Sequence, residues 1–144
     1  MLDLLIRNAL IVDGSGNPGY KANLAVLRDR IAAMGRFPQA EAQRTIDASG
    51  LVLCPGFIDP HTHSELEMLA GRHTAGVQMG VTTEFIGPDG FSFAPLPAQR
   101  LAEYRRYLYG IYGDADVGWD WRTFSAYLER FDGRVFTNLA APVP

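Results

Sequence analysis

The apolar residues of this chain fall first into short runs and later into helical stripes, and the change comes near Gly50. Leu4 to Val12 is rich in strand formers, and the turn-dense Asp13-Gly14-Ser15-Gly16-Asn17-Pro18-Gly19 follows it. Ala22 to Leu27, Ile31 to Gly35 and Arg44 to Ala48 repeat the theme of a brief extended segment bounded by polar residues. This pattern predicts part of a small β-sandwich or barrel over residues 1–50. Gly14-Ser15-Gly16 reads as a turn, since it lacks the full glycine pattern and the following helix of a phosphate loop.

Beyond Gly50 the rhythm alters. Leu51-Val52-Leu53-Cys54 is an unbroken apolar run, interrupted by Pro55-Gly56 and continued by Phe57-Ile58-Asp59, which predicts a buried strand whose carboxyl end opens onto a polar site. Cys54 is accordingly expected to be a buried, inert thiol. Gly76 to Gly80 reads as a helix ending on glycine, and Val81 to Ile86 as a strand running into the loop Gly87-Pro88-Asp89-Gly90. Leu101, Tyr104, Leu108 and Ile111 form one helical stripe; Phe124, Tyr127, Leu128 and Phe131 form another behind Asp120, the expected N-cap. That spacing assigns the aromatic set Trp119, Trp121, Tyr104, Tyr107, Tyr109 and Tyr112 to packing, with Arg100, Arg105 and Arg106 on a solvated face. Val135 to Ala141 predicts a further buried strand before Pro142-Val143-Pro144.

Strands alternating with helices imply parallel βαβ units of about 30 residues or more each. The predicted class is therefore α/β, the start of a (β/α)8 barrel over residues 51–144 preceded by the small β-domain. A complete barrel needs about 250 residues. Only 94 follow residue 50, so the barrel is expected to be incomplete and the chain a fragment, with uncovered edges that favour aggregation.

Composition narrows the partners. The chain is 47% hydrophobic and 20% charged with a net charge of −3, and acidic and basic residues are mixed along it. There is no basic face for nucleic acid, no polybasic run for anionic lipid, and no apolar run near the roughly 20 residues that cross a bilayer. A small-molecule substrate is the expected partner. One cysteine excludes an internal disulfide, and Met1 to Arg7 has no signal-peptide pattern, so a cytoplasmic location is expected.

The chemistry lies in Phe57-Ile58-Asp59-Pro60-His61-Thr62-His63. Side chains alternate on an extended segment, so Asp59, His61 and His63 point to one side while Pro60 and Thr62 point to the other. Two neutral imidazoles converging at a strand end suit zinc or a similar divalent metal. Asp59 either orients a ligand histidine through its second N–H or bonds nearby backbone. Glu65 and Glu67 are read as acids favoured at a helix start, and His73 as a solvated or hydrogen-bonded histidine.

Pro55 to Glu65 resembles the first-strand motif of the metal-dependent amidohydrolase superfamily. Gly80-Val81-Thr82-Thr83-Glu84, followed by Gly90-Phe91-Ser92-Phe93-Ala94-Pro95, resembles its N-acyl-D-amino-acid deacylase branch, and the likeness covers nearly the whole chain. The resemblance implies hydrolysis of a linear amide in an N-acyl-D-amino acid at one or two zinc ions. It implies that His61 and His63 are metal ligands, that further ligands and the acid that shuttles the proton lie beyond residue 144, and that this chain alone is inactive. The branch usually carries Gly-Asn-Cys-Gly where this chain has Gly87-Pro88-Asp89-Gly90, so Asp89 stands in the place of a metal-binding thiolate and is the third candidate ligand. The first-strand motif is shared with cyclic-amide hydrolases of the dihydroorotase and hydantoinase kind, the alternative activity. A non-catalytic remnant that kept the barrel start is the alternative outside enzymes.

Overall fold

A computed structural model describes residues 1–142, which fall into two compact units, the first spanning Met1–Pro55 and the second beginning at Gly56. Val143 and Pro144, the end of the predicted barrel segment, lie outside the described residues. No helix among the described residues is long and apolar enough to cross a membrane.

The first unit is one mixed sheet of β1 (Leu2–Ile11), β2 (Tyr20–Leu27), β3 (Arg30–Gly35), β4 (Ala42–Asp47) and β5 (Val52–Leu53). The order is β3-β2-β1-β4, with β5 also on β1; the β1–β2 and β2–β3 pairs are antiparallel, and β4 and β5 run parallel to β1. The turn after β1 has the chemistry its residues predict: Gly14 and Gly16 take positive φ, and Ser15 N–H donates to Asp13 Oδ1 at 3.0 Å. Between Ile6 and Ala9 the register with β2 slips by one residue, and Asn8 there adopts φ 61°, a conformation asparagine tolerates better than most.

The run Leu51 to Cys54 departs from its predicted burial. Val52 and Leu53 pair with the far end of β1, Leu51 and Val52 are each 60% exposed, and Cys54 is exposed. Backbone pairing accounts for the segment, with Leu10 N–H donating to the Leu51 carbonyl and Val12 N–H to that of Leu53. An unbroken apolar run signals a strand without saying which side chains are covered.

The second unit holds a parallel sheet in the order β6-β7-β8, made of β6 (Phe57–Thr62), β7 (Val81–Ile86) and β8 (Asn138–Ala140). Helices α1 (Glu65–Leu69) and α2 (Ala75–Gln78) lie between β6 and β7; α3 (Leu101–Tyr112) and α4 (Phe124–Leu128) lie between β7 and β8. These are the βαβ connections the alternation predicts. Gly56 has to lack a side chain, because a Cβ there would run into the side chain of Thr82 on β7.

Four details differ from expectation. The buried stripe of α3 runs through Leu108 and Tyr112, while Ile111 is half exposed, so the covered face is a step of four residues from Leu108 rather than three. Tyr107 and Tyr109 are exposed, not packed. The N-cap of α4 is Thr123, whose hydroxyl accepts from Ala126 N–H at 3.1 Å, and Asp120 instead pairs with Arg130. The predicted buried strand over Val135 to Ala141 shortens to β8, and Phe136 is exposed.

On the central strand, Glu84 is buried and fully employed: Oε1 lies 2.8 Å from His73 Nε2, and Oε2 accepts from the Thr137 hydroxyl at 2.5 Å. One carboxylate thus ties the α1–α2 connection and the approach to β8 onto β7. Thr137→Val keeps the side-chain shape and leaves Oε2 without its donor, which should destabilise the chain by about 1–3 kcal/mol. Urea unfolding checks this, and an unchanged midpoint contradicts it.

Candidate metal centre

The end of β6 and the end of β7 lie side by side because the two strands run parallel, with Thr62 paired to Ile86. Functional groups placed just past each strand therefore meet. On the β6 side, Asp59 Oδ1 accepts the backbone N–H of His61 at 3.0 Å, the backbone option of the two open to it. Thr62, on the opposite face, is buried, and its hydroxyl lies 2.5 Å from that of Ser64. The alternation delivers His61 and His63 to one side, as read from the spacing; their side chains are 55% and 22% exposed.

On the β7 side the chain turns sharply. Gly87, Asp89 and Gly90 all take left-handed φ, of 68°, 59° and 75°. Aspartate is among the few residues with a side chain that enter this region at modest cost. The turn directs the carboxylate at the histidines: Asp89 Oδ2 is 3.2 Å from His61 Nε2 and 3.8 Å from His63 Nε2. One ligand atom from each of the three residues lies within 4.8 Å of the other two.

The distances of 3.2 and 3.8 Å from Asp89 to the two histidines suit a shared cation. Two ligands each about 2.0–2.1 Å from a tetrahedral metal sit roughly 3.3 Å apart. The donors are two imidazoles and a carboxylate, a nitrogen and oxygen set that fits zinc and other borderline divalent metals. Three donors leave coordination positions for water or substrate, and the half-exposed His61 and Asp89 keep them reachable.

Two residues that sequence reasoning passed over complete the surroundings. Glu65, read as an acid at a helix start, does begin α1, but it is 0% exposed and turns inward. Its Oε1 accepts Gly87 N–H at 2.9 Å and lies 3.2 Å from the Tyr112 hydroxyl; its Oε2 is buried without a partner among the described residues. Burial pushes its carboxyl from 4.5 up to about 7, against the backbone N–H groups that favour the ionised form. Tyr112, placed with the packing aromatics, also reaches His63: its hydroxyl is 2.9 Å from His63 Nδ1 and 2.7 Å from the Phe91 carbonyl oxygen. Burial, then the charge of Glu65, raises this phenol well above its ordinary range. The one local signal was its position four residues after Leu108. His73 bonds Glu84, away from the cluster.

No protein-family model matches the chain. The D-aminoacylase of Alcaligenes xylosoxydans xylosoxydans is 47% identical over 95 residues, which is 65% of this chain and 20% of that protein. A D-aminoacylase structure, described for the role of its binuclear metal centre, superposes with a TM-score of 0.80 at 34% identity, over 99% of this chain and 30% of the other. The N-acyl-D-glutamate deacylase of Bordetella bronchiseptica, complexed with zinc and a phosphonate mimic of the tetrahedral intermediate, superposes at 0.72 with 32% identity, over 99% of this chain and 29% of that one. The chain spans about a fifth of the length of the curated relatives it matches.

The burial of Glu65 carries a pH signature. Its folded value lies above its unfolded one, so its contribution to stability is full below about 4.5 and is lost as pH rises through about 7. Between those limits the metal-free chain should lose on the order of a few kcal/mol relative to Glu65→Gln. Denaturant unfolding across that range checks it; parallel pH profiles for the two proteins contradict it.

Proposed function

We propose that this chain, a homologue of D-aminoacylase and the N-acyl-D-amino-acid deacylases, carries part of the divalent-metal site of an amidohydrolase that removes the acyl group from N-acyl-D-amino acids. In this reading His61, His63 and Asp89 hold the metal, and zinc is the ion that the donor set suits. The observation that carries it is the convergence of those three side chains at the adjoining ends of two parallel strands. The sheet β6-β7-β8 is then the start of a (β/α)8 barrel within residues 51–144, and residues 1–50 are part of a small β-domain. Barrel enzymes keep their sites at the carboxyl ends of the strands, which is where these groups lie.

A divalent metal bound here supplies Lewis acidity toward an amide carbonyl and lowers the pKa of water towards about 7. The residues of this chain do the holding. His61 and His63 present their Nε2 atoms to a common point, and Asp89 contributes a negative oxygen donor from a turn whose left-handed backbone fixes its direction. Asp59 braces the backbone at His61 by accepting its N–H. The acid that returns a proton to the leaving amine is assigned to no residue up to 144, and on this reading the isolated chain is inactive.

The test is metal content. The purified chain, stripped with chelator and titrated with zinc, should bind it, whereas His61→Ala combined with His63→Ala should abolish binding with the circular dichroism spectrum retained. Undiminished zinc in a folded double variant overturns the site.

A further inference from the structure

We infer that Tyr112 is a positioning residue that fixes the tautomer of His63, leaving its Nε2 free of hydrogen and turned toward the metal. The inference rests on the metal reading above and deepens it. The Tyr112 hydroxyl has a single hydrogen and three polar neighbours: the Phe91 carbonyl oxygen at 2.7 Å, His63 Nδ1 at 2.9 Å and Glu65 Oε1 at 3.2 Å. The nearest of these can only accept. Were the hydrogen given to His63 instead, two oxygens would face each other at 2.7 Å with nothing between them. The hydrogen therefore goes to Phe91, and the hydroxyl oxygen is left to accept.

An accepting oxygen 2.9 Å from Nδ1 requires Nδ1 to carry the hydrogen of the neutral ring. Nε2 then holds the bare lone pair, and it is Nε2 that faces Asp89. A ligand histidine whose other nitrogen donates outward is fixed in both orientation and tautomer. Glu65 Oε1 is the more distant acceptor, at 3.2 Å against 2.7 Å for the Phe91 carbonyl, and already takes the Gly87 N–H, so it is the weaker competitor for the hydroxyl hydrogen.

The geometry is held from behind. Tyr112 is 5% exposed at the end of α3, one turn beyond the buried Leu108, and its ring meets that of Phe93 edge to face at 4.9 Å between centroids. It also meets the His63 ring edge to face, at 5.2 Å. The hydroxyl is thus carried on a rigid mount formed 49 residues from the histidine it serves.

Long-range proton–nitrogen spectra of the metal-free chain, labelled with nitrogen-15 at histidine and recorded above the imidazole titration range, read this directly. His63 should show a protonated Nδ1 and an unprotonated Nε2. Tyr112→Phe keeps the ring and removes the hydroxyl; it should shift His63 toward the Nε2-protonated form while His61 and His73 keep their signals. Zinc affinity, measured by competition with a chromophoric chelator, should fall about 10–100-fold in the same variant. An Nε2-protonated His63 in the native chain overturns the inference, and so does a folded Tyr112→Phe chain with unchanged tautomer and affinity. If that variant does not fold, the native spectrum alone decides. A native chain that binds no zinc sinks the metal reading but leaves the tautomer measurement standing. Zinc binding that needs His63 and ignores Tyr112 sinks this inference alone.

Discussion

One hydrogen bond joins the two halves of the site: the N–H of Gly87, at the start of the loop after β7, donates to Glu65 Oε1, at the start of the helix after β6. Parallel pairing brings the strand ends together, but it does not by itself set the course of the loops beyond them. The buried Glu65 does. It holds the left-handed turn that carries Asp89 beside the segment that carries His61 and His63, and it reaches Tyr112 on α3 as well. Desolvation makes such a carboxylate costly to bury in its charged form, and the backbone donor offsets part of that penalty. The burden falls on a residue that forms no part of the donor set.

The relation between sequence and site follows from this division. The convergence of His61 and His63 was legible because strand alternation fixes which side chains share a face; Asp89 was legible only through the resemblance, as the residue standing where the branch usually has a thiolate. Asp59 was legible as a pair of alternatives, and the structure selects the backbone one. Glu65 and Tyr112 were not, for a physical reason. An acid in the first turn of a helix has an adequate local explanation, and an aromatic residue in an apolar stripe has one too. Their second roles arise only when α3 returns over the strand ends, a contact that no local pattern encodes.

The fold shows the same limit. The βαβ order was readable, since each element declares itself within a dozen residues. The covering of those elements was not. Leu51 to Cys54 reads as buried because it is apolar, yet it runs along β1 with Leu51, Val52 and Cys54 exposed. In α3 the difference between steps of three and four residues decided that Tyr112, not Ile111, turns inward. Had Ile111 faced the site, His63 would lack the hydroxyl at its Nδ1.

Asp89 gives the account its chemical character. A carboxylate is a harder donor than the thiolate that the resemblance leads one to expect, so the site offers nitrogen and oxygen without sulfur. X-ray absorption on the zinc-loaded chain tests this most directly. The account predicts imidazole nitrogens and a carboxylate oxygen at about 2.0–2.2 Å. A sulfur scatterer at about 2.3 Å, or zinc bound without imidazole, contradicts it.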